Sequence, residues 1–169
     1  NQYIKNDVLE VMANGSLNYT VKGICIGMKV TWNYTPPTNG GDTFTSIKKG
    51  SKATLKIVQD EKNGFVKELY IQKEPDIDNR TFEAQLQKTV EQLQITYPFL
   101  SVKNKKNGTY LIDIPQEKRL GHEEHFSKVA KAFLHYVHNQ DMPEWENENT
   151  LAKYYITTTA VEMAKKGNK

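Results

Sequence analysis

The sequence has one cysteine, no apolar run near the length of a membrane helix, and no strong excess of charge of either sign. Each shortage excludes something. Cys25 alone cannot close a disulfide within the chain, so the fold does not depend on oxidation. Its place in an apolar, strand-like run predicts a buried, inert thiol. Without about 20 consecutive apolar residues no membrane-spanning helix is expected, and the start of the chain shows no signal-peptide pattern. Asn1 rather than a methionine stands first, which predicts a chain cut from a longer one. The net charge is only +3, and the lysines gather at 48–56, 103–106 and 165–169, where Gly, Ser and Asn interrupt them. Those stretches read as turns and a tail. A nucleic-acid surface needs a basic stripe with stacking aromatics on one face, so no nucleic-acid partner is expected. A soluble protein of the bacterial cytoplasm or periplasm is expected, without a choice between them.

Motifs of catalysis are equally scarce. There is no G-x-S-x-G elbow and no P-loop, and Cys25 has no neighbouring base. Gly23 to Gly27 lacks both the spacing of a dinucleotide fingerprint and a following helix. Carboxylates are plentiful but form no distinctive pair. The residues by themselves therefore predict no catalytic group and no bound cofactor in this chain.

What the sequence does contain is an α+β pattern over 169 residues, read as a single domain long enough to bury a core. A strand over 8–13 leads to Asn14-Gly15, a dipeptide that favours a tight hairpin turn because it tolerates positive φ. Leu17, Tyr19 and Val21 then alternate with polar residues. From Ile24 the apolar set shifts by one position, so Lys22-Gly23 is read as a bulge or tight turn. Pro36-Pro37 closes this stretch, and the loop 38–42 follows. Strands are expected over 43–48, over 53–58 with Ala53, Leu55 and Ile57 inward, and over 65–72. A helix capped by Asp78 or Asn79 runs to about Ile95, with Phe82, Leu86, Val90 and Leu93 on its stripe. A hairpin turns at Asn107-Gly108, placing Tyr110, Ile112 and Ile114 on one face. A further helix carries Phe126, Val129, Ala130, Phe133, Leu134 and Val137 on its apolar side. The last spans about 150–165, with Asn147 or Asn149 as cap. Strands first and helices later predict an open, mainly antiparallel sheet with helices packed on one face. Helices sufficient for one face leave the other free, which predicts self-association into a homo-oligomer.

The stretch Gly121-His122-Glu123-Glu124-His125-Phe126 holds two of the four histidines. A zinc protease uses histidines at i and i+4; these stand at i and i+3, and no second cluster supplies a third ligand. The glutamates suit the positive end of a helix. The histidines extend the apolar stripe, so they are expected to face the sheet or a cleft at its edge. A hydrogen-bonded core pair and a substrate-facing pair both remain open.

Several stretches together resemble one family. They are Asn14-Gly15 with Tyr19; Trp32-Asn33-Tyr34-Thr35-Pro36-Pro37 followed by Gly40-Gly41-Asp42-Thr43; and Gly50-Ser51-Lys52-Ala53-Thr54-Leu55. Tyr97-Pro98, Ile114-Pro115, the Gly-His-Glu-Glu-His-Phe helix start, and Trp145-Glu146 with Lys153-Tyr154-Tyr155 continue the set. Their order and spacing, from about residue 8 to 160, resemble the C-terminal domain of the Gfo/Idh/MocA oxidoreductases. The resemblance implies a two-domain parent enzyme in which an N-terminal Rossmann domain binds NAD or NADP. The C-terminal α+β domain then shapes the site for a sugar, a polyol or a derivative. This sequence contains neither the Glu-Lys-Pro lysine nor the Asp-x-x-x-His helix of that family, so no catalytic residue carries over. It implies substrate or domain-interface roles for His122, Glu123, His125, Trp32, Tyr34, Asp42 and Thr43, with Lys153 and Tyr154 as further candidates. The aromatic faces and the carboxylate suit sugar hydroxyls. Two other functions stay open: a stand-alone carbohydrate-binding or interaction module, and a metal-dependent hydrolase built on His122 and His125.

Overall fold

The computed structural model describes residues 4–167 except 10, 12 and 39. Parts of the expected first strand (Glu10, Met12), of the loop after Pro37 (Asn39) and of the lysine tail (Asn168, Lys169) lie outside the described residues. The chain divides into two units, one made of Asn1–Thr35 with Ser127–Lys169 and the other of Pro36–Phe126.

The second unit holds the antiparallel sheet. Its strands are β5 (Phe44–Lys49), β6 (Ala53–Gln59), β7 (Glu68–Lys73), β8 (Ser101–Asn104) and β9 (Thr109–Asp113), ordered β5-β6-β7-β9-β8. Every pairing is antiparallel. Together with the helices this is the expected α+β class with an open antiparallel sheet. Helix α1 (Asn79–Gln94) begins where Asp78 accepts from the Thr81 N–H at 2.8 Å. That bond satisfies one of the free N–H groups of the first turn and holds the Asp78 carboxyl below its usual range. On α1, Val90 is buried and Phe82 and Leu86 are half-buried, but Leu93 is exposed. Gln94, whose amide donates to the Leu100 carbonyl at 2.7 Å, takes the inward place instead.

Tyr110 joins α1 to the sheet. It is 4% exposed, its ring lies 5.6 Å from that of Phe82, and its hydroxyl donates to Glu83 at 2.8 Å. The register puts Tyr110 opposite Ile71, and Ile71 opposite Leu55, on the same sheet face. The contacts of α1 centre on β9 and β8, so Leu55, expected inward, remains 40% exposed. Its neighbour Thr54 on the opposite face is buried, donating to Glu74 at 2.9 Å. That opposite face is mixed: it carries Lys103–Asp113, Thr109 bonded to Gln72 and Tyr70 bonded to Glu68, and beside them the apolar Ile47, Val58 and Leu111.

The other unit contains β1 (Ile4–Lys5), β2 (Val8–Leu9), β3 (Gly15–Val21), β4 (Ile24–Val30), most of α2 (His122–Asn139) and α3 (Glu144–Gly167). The tight turn falls at Lys22-Gly23, with φ of 49° and 79°, and not at Asn14-Gly15. Gly15 already pairs with Val30 in the ladder, and Asn14 instead accepts the Trp32 N–H on its side chain at 2.6 Å. The one-residue shift in the apolar pattern is thus a change of strand across a two-residue turn. It also corrects the expectation for Cys25, which is exposed. Cys25 pairs with Thr20 on the polar side of the hairpin, its sulfur 3.8 Å from the Thr20 hydroxyl. Helix α3 starts at Glu144, several residues before the expected caps Asn147 and Asn149. Pro143 fixes φ ahead of the first turn, and Glu144 and Glu146 suit its positive end.

Truncating the Tyr110 wedge should therefore unfold the sheet unit early. Tyr110→Ala should cost about 3–5 kcal/mol, as for other large aromatic deletions. Tyr110→Phe, which removes one hydrogen bond, should cost about 1 kcal/mol. Urea unfolding followed by circular dichroism measures both, and equal losses would show that the hydroxyl rather than the ring anchors α1.

Candidate functional site

The helix start at Gly121 is built from local bonds. The Gly121 carbonyl accepts the His125 N–H at 3.1 Å, and the Glu124 carboxylate reaches back to the Gly121 N–H at 2.7 Å. Glu124 thus performs the return half of a capping box. The segment leading into this turn is held by Arg119, whose guanidinium donates to the Ile114 carbonyl at 3.0 Å and the Lys67 carbonyl at 2.7 Å. His122, Glu123 and His125 are all exposed in this chain. Among the described residues they line neither of the two clefts of the sheet unit. No group of three or more His, Cys, Asp or Glu side chains that could hold a metal exists among the described residues. The hydrolase reading therefore has no ligand set to stand on.

The other expected residues are exposed as well. Trp32 is 74% exposed just after β4, with Tyr34 two residues on. Asp42 and Thr43 immediately precede β5 and are exposed. Within their unit, no hydrogen bond or ion pair joins them to His122, Glu123 or His125. On α3 the Lys153 ammonium lies 5.2 Å from the centre of the Tyr154 ring, a cation–π pair on an open helix surface.

The structure also assembles polar groups that the sequence reading did not single out. A cleft of about 370 Å³ is lined by Val58, Asp60, Lys62, Asn63, Glu68, Tyr70 and Lys105. Glu68 and Tyr70 stand two apart on one strand, and that spacing was the signal available for placing them together. The Tyr70 hydroxyl donates to Glu68. This bond, with burial and the negative charges of Glu68 and Asp60, pushes the phenol up to about 12. Asp60 and Asn63 are occupied in a capping box around a single 3-10 turn. A smaller cleft of about 250 Å³ lies beside α1, lined by Glu83, Leu86, Gln87, Val102, Asn104 and Tyr110. There burial, the bond to Glu83 and its charge push Tyr110 up to about 12. Both phenols are hydrogen-bond donors across the neutral range, and neither is poised to transfer a proton.

These residues do not fit a dinucleotide. Its pyrophosphate requires a glycine-rich turn between a strand and a free helix N-terminus. Asp78 occupies the start of α1 and Glu124 that of α2, both with carboxylates.

With the geometry in place, comparison with known proteins decides the family. Residues 1–165 match the family model described as "Putative oxidoreductase C terminal domain". The chain belongs to that family. No curated protein matches it. A crystal structure of a putative oxidoreductase from Parabacteroides merdae ATCC 43184 is similar at 38% identity and a TM-score of 0.90. The match covers 98% of this chain and 38% of that one, so this oxidoreductase C-terminal domain spans well under half of the relative's length.

The two hydrogen-bonded phenols give a test in alkali. Raised folded values mean that the unfolded chain ionises first. The stability they contribute is complete below pH 10 and is lost between about 10 and about 12. Ultraviolet titration of the nine tyrosines should show a late component. Tyr70→Phe and Tyr110→Phe should each remove part of it, and Glu68→Gln should bring Tyr70 back toward 10. A single transition near 10 in the native chain would contradict the Tyr70–Glu68 and Tyr110–Glu83 bonds.

Proposed function

We propose that this chain is the substrate-side and assembly domain of an NAD(P)-dependent oxidoreductase of the Gfo/Idh/MocA type, acting on a sugar or polyol derivative. The observation that carries the reading is the family match along residues 1–165. The nicotinamide cofactor is held by an N-terminal Rossmann domain of the same parent polypeptide, because this chain carries no glycine fingerprint and the starts of α1 and α2 are already occupied by the carboxylates of Asp78 and Glu124. Its own contribution is recognition. His122, Glu123 and His125 offer imidazole and carboxylate groups at the exposed start of α2, and Arg119 fixes the segment that presents them. Trp32 and Tyr34 offer aromatic faces, and Asp42 and Thr43 offer polar groups beside a sheet edge. Groups of each of these kinds suit a polyhydroxylated molecule. Exposure favours this role over a packing role: an imidazole that already faces water loses little when its neighbours change.

The parent protein should bind NADH or NADPH in a calorimetric titration, while the 169-residue chain alone should bind neither. The pair His122→Ala with His125→Ala should leave thermal stability nearly unchanged, since exposed substitutions stay within about 0.5 kcal/mol. In the parent enzyme the same pair should raise KM or lower kcat severalfold. Micromolar cofactor binding by the isolated chain, or an early-melting double variant with full turnover, would overturn the assignment.

A further inference from the structure

The unit of residues 1–35 and 127–167 contains no buried side chain among those described, although its sequence is patterned to bury several. The β3–β4 hairpin shows this best. Its register places Leu17 opposite Met28, Tyr19 opposite Ile26 and Val21 opposite Ile24, all on one face. Ser16, Asn18 and Thr20 oppose Lys29, Gly27 and Cys25 on the other face. One side is thus wholly apolar and the other polar or small, as in a strand pair that packs on a body through one face only. In this chain the apolar side is only partly covered: Leu17, Tyr19 and Ile26 are half-buried, while Val21, Met28 and Ile24 are exposed, Ile24 at 67%. A lone two-stranded hairpin is marginally stable in water, so this one requires a cover.

The chain as a whole leaves more surface open than a closed fold does. The chain exposes 14330 Å² at 19.4 kDa. A folded monomer of that mass exposes about 8,500 Å², and two separately folded halves about 10,000 Å². The size of the hairpin patch helps to choose the occupant. Its three cross-strand apolar pairs fall far short of the roughly 20–30 residues a side by which free molecules form a stable interface. A tethered domain, present at millimolar effective concentration, needs no such area. The similar oxidoreductase has the greater part of its chain outside the region shared with this one.

We propose that the apolar face of the β3–β4 hairpin is the docking surface for the remaining domain of the parent polypeptide, and that its polar face, carrying Cys25, stays toward water. The proposal rests on the reading of the chain as one domain of a longer enzyme. It names the surface through which that enzyme is held together.

Thiol labelling of the full-length parent, located by mass spectrometry, tests it. Cys25 reports the polar face. Ile26→Cys in a Cys25→Ser background reports the apolar face, and each rate is normalised to that in denaturant. Position 26 should react at least tenfold more slowly than Cys25, at every protein concentration. In the isolated 169-residue chain the two should react alike. Equal rates in the parent would overturn the proposal, and so would protection that appears only as concentration rises, which assigns the face to a second copy. If the parent carrying Ile26→Cys fails to fold by circular dichroism, Met28→Cys on the same face gives the reading instead. Cofactor titration of the same parent separates the two levels. Protection without nicotinamide binding would retain the docking surface and sink the oxidoreductase reading, whereas binding without protection would do the reverse.

Discussion

The Tyr110 side chain is the point on which the sheet unit depends. One residue supplies the aromatic contact to Phe82, the hydrogen bond to Glu83, and the position on β9 that sets the register against Ile71. Glu83 also accepts from Asn104, so the same carboxylate ties the helix to the edge strand β8. Around this wedge the buried apolar residues Val90 and Ile112 collect, while Leu111 is buried on the other face of β9. Burial, register and capping then point to one arrangement: Asp78 starts α1 at the place where Phe82 and Glu83 meet Tyr110. Such agreement between local and tertiary choices is what lets a short sequence specify one packing.

The other unit obeys the same constraint with part of it missing. Its helices and hairpin have the periodicities of elements that bury a face, but its large apolar side chains stay exposed, Phe133 at 62% among them. Apolar exposure on this scale marks an interaction surface. The contrast explains how one chain contains both a self-sufficient core and a region without one. The first is closed by its own strands and helix, and the second leaves its apolar faces open.

Legibility in the sequence followed the same division. Signals that act within a few residues were readable: Asp78 as cap, Asn107-Gly108 as turn, and the glutamates at the start of α2. The φ values of 50° at Asn107 and 72° at Gly108 are those the turn chemistry requires. Asn14-Gly15 misled because a dipeptide preference says nothing about pairing; opposite Val30, Gly15 had a ladder position to fill. Cys25 misled because an apolar run was read without its strand partner, and Thr20 makes that side polar. The start of α3 was misplaced because asparagines were weighed above Pro143, which sets φ before any cap acts. Burial was the least legible property. A stripe such as Phe126, Val129 and Phe133 states that a helix has a side to cover, but the covering body need not be encoded nearby.

The candidate site follows from these limits. The two displaced phenols, Tyr70 and Tyr110, are displaced away from neutrality and are committed to internal hydrogen bonds. They stabilise the sheet and leave no proton free for chemistry. His135, likewise, is engaged with Asp141 at 3.0 Å and with Asn139. His122 and His125 have no such partners, and they sit at the end of α2 where the backbone has been fixed by Glu124 and Arg119. A rigid turn that presents uncommitted imidazoles is an economical way to recognise a ligand or a neighbouring domain, because the order is already in the scaffold and little further entropy is lost on contact. The hydrogen bonds that hold the sheet unit together and the exposed imidazoles at the start of α2 are thus drawn from separate sets of residues.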